Sequence, residues 1–230
     1  MRSRPAHVLA VVLLIGLIHG CSNALRWSPD THVVRSGETL YAIAWSHGLD
    51  PRDLAAWNGL GDGSLIYPGQ RLRLTGSSGK RPPSTPAQAS RAPAPAPARP
   101  APRPAVQVSG WQWPTRGSVI GAYGQTAKTE SGVHIGGQRG QSIRAAAGGE
   151  VVYSGDSLPG YGNLLIIKHN ADFLSAYGFN DALLVNEGQT VAAGQKIARM
   201  GQGPGQRPLL HFEIRRQGKP VNPVAYLPSR

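Results

Sequence analysis

Five side chains in the C-terminal half of the chain have chemistry to offer: Glu130, His134, His169, His211 and Glu213. Carboxylates and imidazoles bind divalent metals and move protons. Glu130 and His134 stand four apart, a spacing that would put two ligands on one side of a helix. The run between and after them, Ser131-Gly132-Val133-His134-Ile135-Gly136-Gly137, is too rich in glycine for helical pairing to be assumed. Spacing alone therefore gives a metal site little weight, and isolated histidines are more often structural than ligands. The other reactive side chain is Cys21, the single cysteine.

These residues lie in a stretch that reads as β-structure. From Trp111 on, short apolar runs (Glu150 to Tyr153, Leu164 to Ile167, Phe173 to Tyr177, Lys196 to Ala198 and Leu209 to Ile214) are separated by turn formers such as Gly148-Gly149, Gly160-Tyr161-Gly162 and Glu187-Gly188-Gln189. No segment there has a helical period, so residues 111–230 are expected to form a mainly-β domain.

Residues 31–74 read differently. His32-Val33-Val34 is a strand candidate, and Ser36-Gly37-Glu38-Thr39 offers a helix start with Leu40, Ile43 and Ala44 on one face. Gly48 stops that helix. Asp50 is a good N-cap with Pro51 at the first helical position, and Asn58-Gly59 stops the second helix. Gln70 to Leu74 alternates as a second strand. The expected module is a small α+β unit of order β-α-α-β.

Between the two, residues 75–110 are a Pro/Ala-rich linker that cannot bury a core and favours polyproline II. At about 3.1 Å per residue it reaches on the order of 100 Å, which makes it a spacer. At the start, Arg2 and Arg4 precede an apolar run from Val8 to Ile18, the form of a secretory signal. Ile18-His19-Gly20-Cys21 resembles the lipobox of bacterial lipoproteins. The expectation is a signal peptide over 1–20, lipidation at Cys21, a mature tether over 21–30 and an outer-membrane location facing the periplasm. Loss of residues 1–20 leaves 22 basic against 12 acidic residues. Several cations lie in the linker without interleaved aromatics, so nucleic acid is not an expected partner.

Two resemblances extend this reading. Val34 to Ala44, Asn58-Gly59-Leu60 and Leu65 to Leu72 resemble a LysM domain, which implies binding of peptidoglycan glycan strands through two loops: Gly37, Thr39 and Leu40 in the first, Leu65, Ile66 and Pro68 in the second. Gly132 to Gly136, Ala145 to Gly155, Gly160 to Asn163, Gly188 to Ile197 and Leu210 to Ile214 resemble the LytM, or lysostaphin-like, zinc endopeptidases. The lipobox, LysM and LytM order is most similar to the murein hydrolase activator NlpD group. Matched residue by residue, Glu130, His134 and His211 fall where active LytM enzymes hold zinc. Phe179 and Leu209 fall where those enzymes have catalytic histidines, and neither can transfer a proton. The resemblance therefore implies no catalysis and no cofactor, with altered metal positions that leave zinc possible but not expected. It also implies a groove of Glu130, His134, Phe179, Leu209 and His211 that docks and activates an N-acetylmuramoyl-L-alanine amidase in cell separation. The alternatives are a zinc endopeptidase with an altered site and a passive tether from outer membrane to wall.

Overall fold

The computed structural model describes residues 30–61, 65–76, 108, 110–127 and 129–230. Cys21, the apolar run before it and nearly all of the Pro/Ala-rich segment lie outside the described residues.

The N-terminal module is strand β1 (Thr31–Val33), helix α1 (Leu40–His47), helix α2 (Pro51–Asn58) and strand β2 (Arg71–Arg73). Thr39 caps α1 by accepting from the Ala42 amide, and Asp50 caps α2 by accepting from the Arg52 amide. Such caps satisfy amides that a helix leaves open and contribute about 1 kcal/mol each. Gly48 and Gly59 end the helices in the left-handed region, at φ 63° and 65°. The strands pair antiparallel, with Thr31 opposite Arg73, over a core of Ile43, Leu54 and Leu72.

The C-terminal domain is one antiparallel sheet of ten strands: β3 (Val119–Gly121), β4 (Val133–Gly136), β5 (Ser142–Arg144), β6 (Gly149–Gly155), β7 (Asn163–Lys168), β8 (Phe173–Leu183), β9 (Thr190–Val191), β10 (Lys196–Met200), β11 (Leu209–Arg216) and β12 (Lys219–Val221). The path runs β3-β4-β11-β8-β7-β6-β9; β10 pairs with both β8 and β5, and β12 pairs with β11. The five apolar runs read from the sequence are β6, β7, the first part of β8, β10 and β11. The remaining strands span two to four residues, too short for alternation to declare itself.

The sheet buries both of its faces. On one, Val151, Leu165, Ile167, Tyr177 and Phe212 form the main core, closed over by Ile143 and Ile197 from β5 and β10. On the other, Tyr153, Leu164, Ile166, Leu174 and Ala176 pack against Ala42 and Trp45 of α1. Leu164 to Ile167 is apolar on both sides of the pleat, and such a strand needs cover on both. The N-terminal module supplies the second cover. The two modules that residues 75–110 join are therefore in contact.

Polar contacts fix the docking. Arg215 and Lys219 donate to the carbonyls of Trp45 (2.8 Å) and Gly48 (2.9 Å). These carbonyls lie at the negative end of α1, where the helix itself cannot satisfy them all. Gly218, at φ 73°, lets the β11–β12 turn touch Leu49: an added Cβ would stand 2.4 Å from the Leu49 carbonyl carbon.

One buried chain of hydrogen bonds makes stability depend on pH. His169 Nδ1 lies 2.8 Å from the Gly148 carbonyl, and its Nε2 lies 2.8 Å from Ser175 Oγ. The Ser175 and Tyr177 hydroxyls are 2.9 Å apart, and Tyr177 accepts from the Ala146 amide. Burial pulls His169 from 6.5 down to about 4, against the opposing effect of its bond to Gly148. The unfolded chain therefore binds a proton that the folded chain refuses between those values. Stability is expected to be full above pH 6.5 and to fall as the pH drops toward 4, by up to about 3 kcal/mol. His169→Gln should flatten that slope in urea denaturation at pH 7.5, 5.5 and 4.5; an unchanged slope would assign the acid sensitivity elsewhere.

Candidate functional site

The site is built on β11, which lies between β4 and β8. Its side chains alternate: Leu210, Phe212 and Ile214 enter the main core, so His211, Glu213 and Arg215 face the other way. Glu213 is fully buried, and His211 and Arg215 are nearly so. Three groups meet Glu213 Oε1: Ser131 Oγ at 2.8 Å, Tyr161 Oη at 2.9 Å and His211 Nε2 at 2.8 Å. Arg215 Nε donates to Oε2 at 3.0 Å. Burial pushes the Glu213 carboxyl up, but the His211 bond, the charges of Arg215 and His211 and the Ser131 bond outweigh it and hold the group below the ordinary range. Tyr161 moves up, from burial first and then from the Glu213 charge. The guanidinium of Arg215 also lies 3.5 Å above the Trp45 ring, an attractive cation–π arrangement. One network thus runs from the cleft into the face that carries the N-terminal module.

Above His211 opens a cleft of about 290 Å³ lined by Ala127, Ser131, His134, Gly160, Tyr161, Phe179, Pro204 and His211. His134 sits directly across from His211 in the β4–β11 register, with ring centroids 5.2 Å apart. Phe179 approaches both rings edge-on, at 6.2 Å from His134 and 6.1 Å from His211. Its backbone is left-handed at φ 62°, which costs a side-chain-bearing residue roughly 1–2 kcal/mol. Two hydrogen bonds hold it there: its amide donates to Tyr161 O (2.7 Å), and its carbonyl accepts from Gly201 (2.9 Å).

The structure brings together three of the five expected groove residues, His134, Phe179 and His211. Glu130 is exposed and lines a neighbouring cleft of about 760 Å³ with Trp45, Tyr161 and Arg215. Leu209 is buried beneath the turn that starts at Gly203, where an added Cβ would stand 2.9 Å from it. That turn places Pro204 on the cleft wall instead. The groove expected from Glu130 and Leu209 is corrected on both counts. Tyr161, Ser131 and Arg215 were not expected, and Glu213, one of the five side chains with chemistry to offer, was not assigned to the groove. The signal for the last two was a polar residue at every second place of Leu210-His211-Phe212-Glu213-Ile214-Arg215.

In the N-terminal module Leu40 is a core residue at 2% exposure, and Ile66 is partly buried against the same core, so neither is an open sugar platform. Thr39, besides capping α1, donates to Val152 O at 3.2 Å across the module boundary. The exposed surface of the second loop is Leu65, Tyr67 and Pro68.

The donor set does not fit a tetrahedral zinc ion. Among the described residues no group of three His, Cys, Asp or Glu side chains is placed to hold a metal. His211 Nε2 is engaged with Glu213, and Glu130 opens onto the adjacent cleft. A third ligand beside His134 and His211 is therefore missing from the described surroundings of the cleft.

Comparison with known proteins gives two family matches: the LysM domain over residues 32–75 and peptidase family M23 over residues 128–223. A lipoprotein NlpD/LppB homolog of Pseudomonas aeruginosa is 43% identical over 240 residues, covering 90% of this chain and 81% of its own. The murein hydrolase activator NlpD of Escherichia coli is 38% identical over 262 residues, covering 89% and 69%. Among solved structures, an M23 peptidase from Pseudomonas aeruginosa aligns over 53% of this chain and 51% of its own, at 22% identity and a TM-score of 0.46.

Removing Arg215 would leave the Glu213 carboxylate buried beside His211 without its guanidinium. Arg215→Ala is expected to cost about 3–5 kcal/mol in chemical denaturation. Adding Glu213→Gln should restore part of that loss, because the uncompensated charge is then gone. A loss of under about 1 kcal/mol would show that Arg215 is dispensable to the network.

Proposed function

The chain belongs to the NlpD/LppB family of lipoproteins, which join a LysM domain to an M23 peptidase domain, and on that premise we propose that it is a non-catalytic activator of a periplasmic N-acetylmuramoyl-L-alanine amidase. The LysM module holds peptidoglycan glycan strands, with Gly37, Thr39, Leu65 and Pro68 in the loops and Tyr67 added as an exposed aromatic. Cys21 carries the lipid that anchors the protein to the outer membrane on its periplasmic side. The M23-like domain docks the amidase in the cleft of His134, Phe179 and His211.

The observation that carries this reading is Phe179. Where an active enzyme of this class places a histidine, the cleft holds an aromatic ring fixed in a strained backbone conformation. Strain of this kind persists where the surroundings over-determine it, and functional sites are where it collects. A phenyl ring in a half-open cleft beside Tyr161 and Pro204 suits the apolar side chain of a docked partner segment. It offers nothing to a hydrolytic water. His211 Nε2 is taken up by Glu213, and among the described residues no group of three His, Cys, Asp or Glu side chains is placed to hold the metal that M23 chemistry uses. The name borne by the Escherichia coli relative, a murein hydrolase activator, supports the same role.

The test is release of dye from labelled peptidoglycan by each periplasmic amidase of the source cell, with and without the purified chain. Stimulation of at least one amidase, with no release by the chain alone, is expected. No stimulation of any, or cross-link cleavage by the chain with stoichiometric zinc, would overturn the proposal. Phe179→Gly separates the role of the ring from stability. Relief of the positive φ offsets lost packing, so Tm should change little while stimulation falls about tenfold or more.

A further inference from the structure

The ribbon of β5 and β10 turns one face inward and one outward. Ile143 and Ile197 point into the main core. On the outward side Lys196 stands opposite Arg144, and Arg199 opposite Ser142. Directly opposed residues of an antiparallel pair project from the same face, as do Ser142 and Arg144, two apart on one strand. Arg144, Lys196 and Arg199 therefore form one exposed row. Beside it a depression of about 570 Å³ is lined by Arg116, Arg144 and Arg230 with Trp113, Thr115, Gln141 and Ser142.

Among the described residues the five cations bond to carbonyl oxygens or to no partner among the acidic side chains. Arg144 donates to the Gly194 carbonyl, and Arg230 to the carbonyls of Gly117 and Thr115. Among the described residues no Asp or Glu pairs with any of the five, and none lines the depression. Like charges placed directly opposite in a sheet destabilise it, so a counter-charge from outside the chain would relieve the Lys196–Arg144 pair. The LysM module packs on the sheet face turned away from the main core, whereas this ribbon closes the core from the other side. The cations and the module thus lie with the core between them.

We propose that the outward face of the β5–β10 ribbon is a membrane-contact surface that takes the anionic headgroups of phospholipids. Charge complementarity selects a polyanion. Arg144, Lys196 and Arg199 stand exposed along the open ribbon, an arrangement that suits laterally mobile anionic headgroups. The sequence supplies proximity, since the apolar run Val8 to Ile18 and Cys21 read as a lipoprotein anchor. Wall carboxylates are the competing polyanion, but the module expected to bind the wall faces away from the ribbon.

Co-sedimentation of residues 21–230 carrying Cys21→Ser, which removes acylation, tests this directly. Vesicles of phosphatidylethanolamine alone and with phosphatidylglycerol are compared, in parallel with purified sacculi. Binding to the phosphatidylglycerol vesicles only, weakening with added salt, is expected. Each cation near a charged surface contributes about fivefold, so Arg144→Gln with Lys196→Gln should weaken vesicle binding about twentyfold while Tm and sacculus binding hold. Equal binding to both vesicle types, no binding to either, or no response to the double substitution would overturn the proposal. So would a variant that loses the sacculi and keeps the vesicles, since the polyanion is then the wall. None of these readouts involves an amidase, so the result stands or falls apart from the proposed activator role.

Discussion

A carboxylate sealed from water in the middle of a sheet has to be surrounded by donors, and Glu213 organises much of this molecule by that requirement. Desolvating an ion costs several kcal/mol unless every lone pair finds a partner. Ser131, Tyr161 and His211 meet one oxygen and Arg215 meets the other. Each partner brings its own element: the segment before β4, the turn before β7, and β11 itself. Arg215 is in turn a buried cation, and it finds the Trp45 carbonyl and ring in the other module. The orientation of His211 in the cleft and the seating of α1 on the sheet are consequences of the same charge.

The sequence specified the fold wherever the signal was local and repeated. Thr39, Gly48, Asp50, Pro51 and Gly59 bracket both helices as cap chemistry requires, and the five longest apolar runs are five of the longest strands. In the C-terminal domain the strands of two to four residues were invisible because they are defined by their partners. The docking of the two modules was missed although its cause was in view. Leu164-Leu165-Ile166-Ile167 is apolar at consecutive positions, so one of its faces had to be covered by something other than its own core.

The site was legible only where chemistry and register coincide. His134 and His211 meet because they are opposite each other on neighbouring strands, and Phe179 reaches them from β8. Glu130 and Leu209 diverge because a sequence match assigns a position along the chain and not the path of the loop that carries it. Leu209 shares its strand with His211, yet the turn beginning at Gly203 seals it and puts Pro204 in its place. Glu213 was among the candidate chemical residues but was given no place in the groove, since nothing local marks a carboxylate as fully buried.

Contact between the modules changes the meaning of the Pro/Ala-rich stretch that joins them. A connector whose two ends are held by a formed interface is a closed ring, and the entropy of closing a flexible ring grows only with the logarithm of its length. Doubling the number of residues adds about 0.6 kcal/mol. The stretch is therefore almost indifferent to insertion, deletion or reshuffling of its prolines and alanines. At Gly218 the balance is reversed: one added methyl group would meet the Leu49 backbone at 2.4 Å. Tolerance to change in this chain is thus set by where atoms are crowded, and the exchangeable residues of the 75–110 connector constrain the architecture less than one missing side chain.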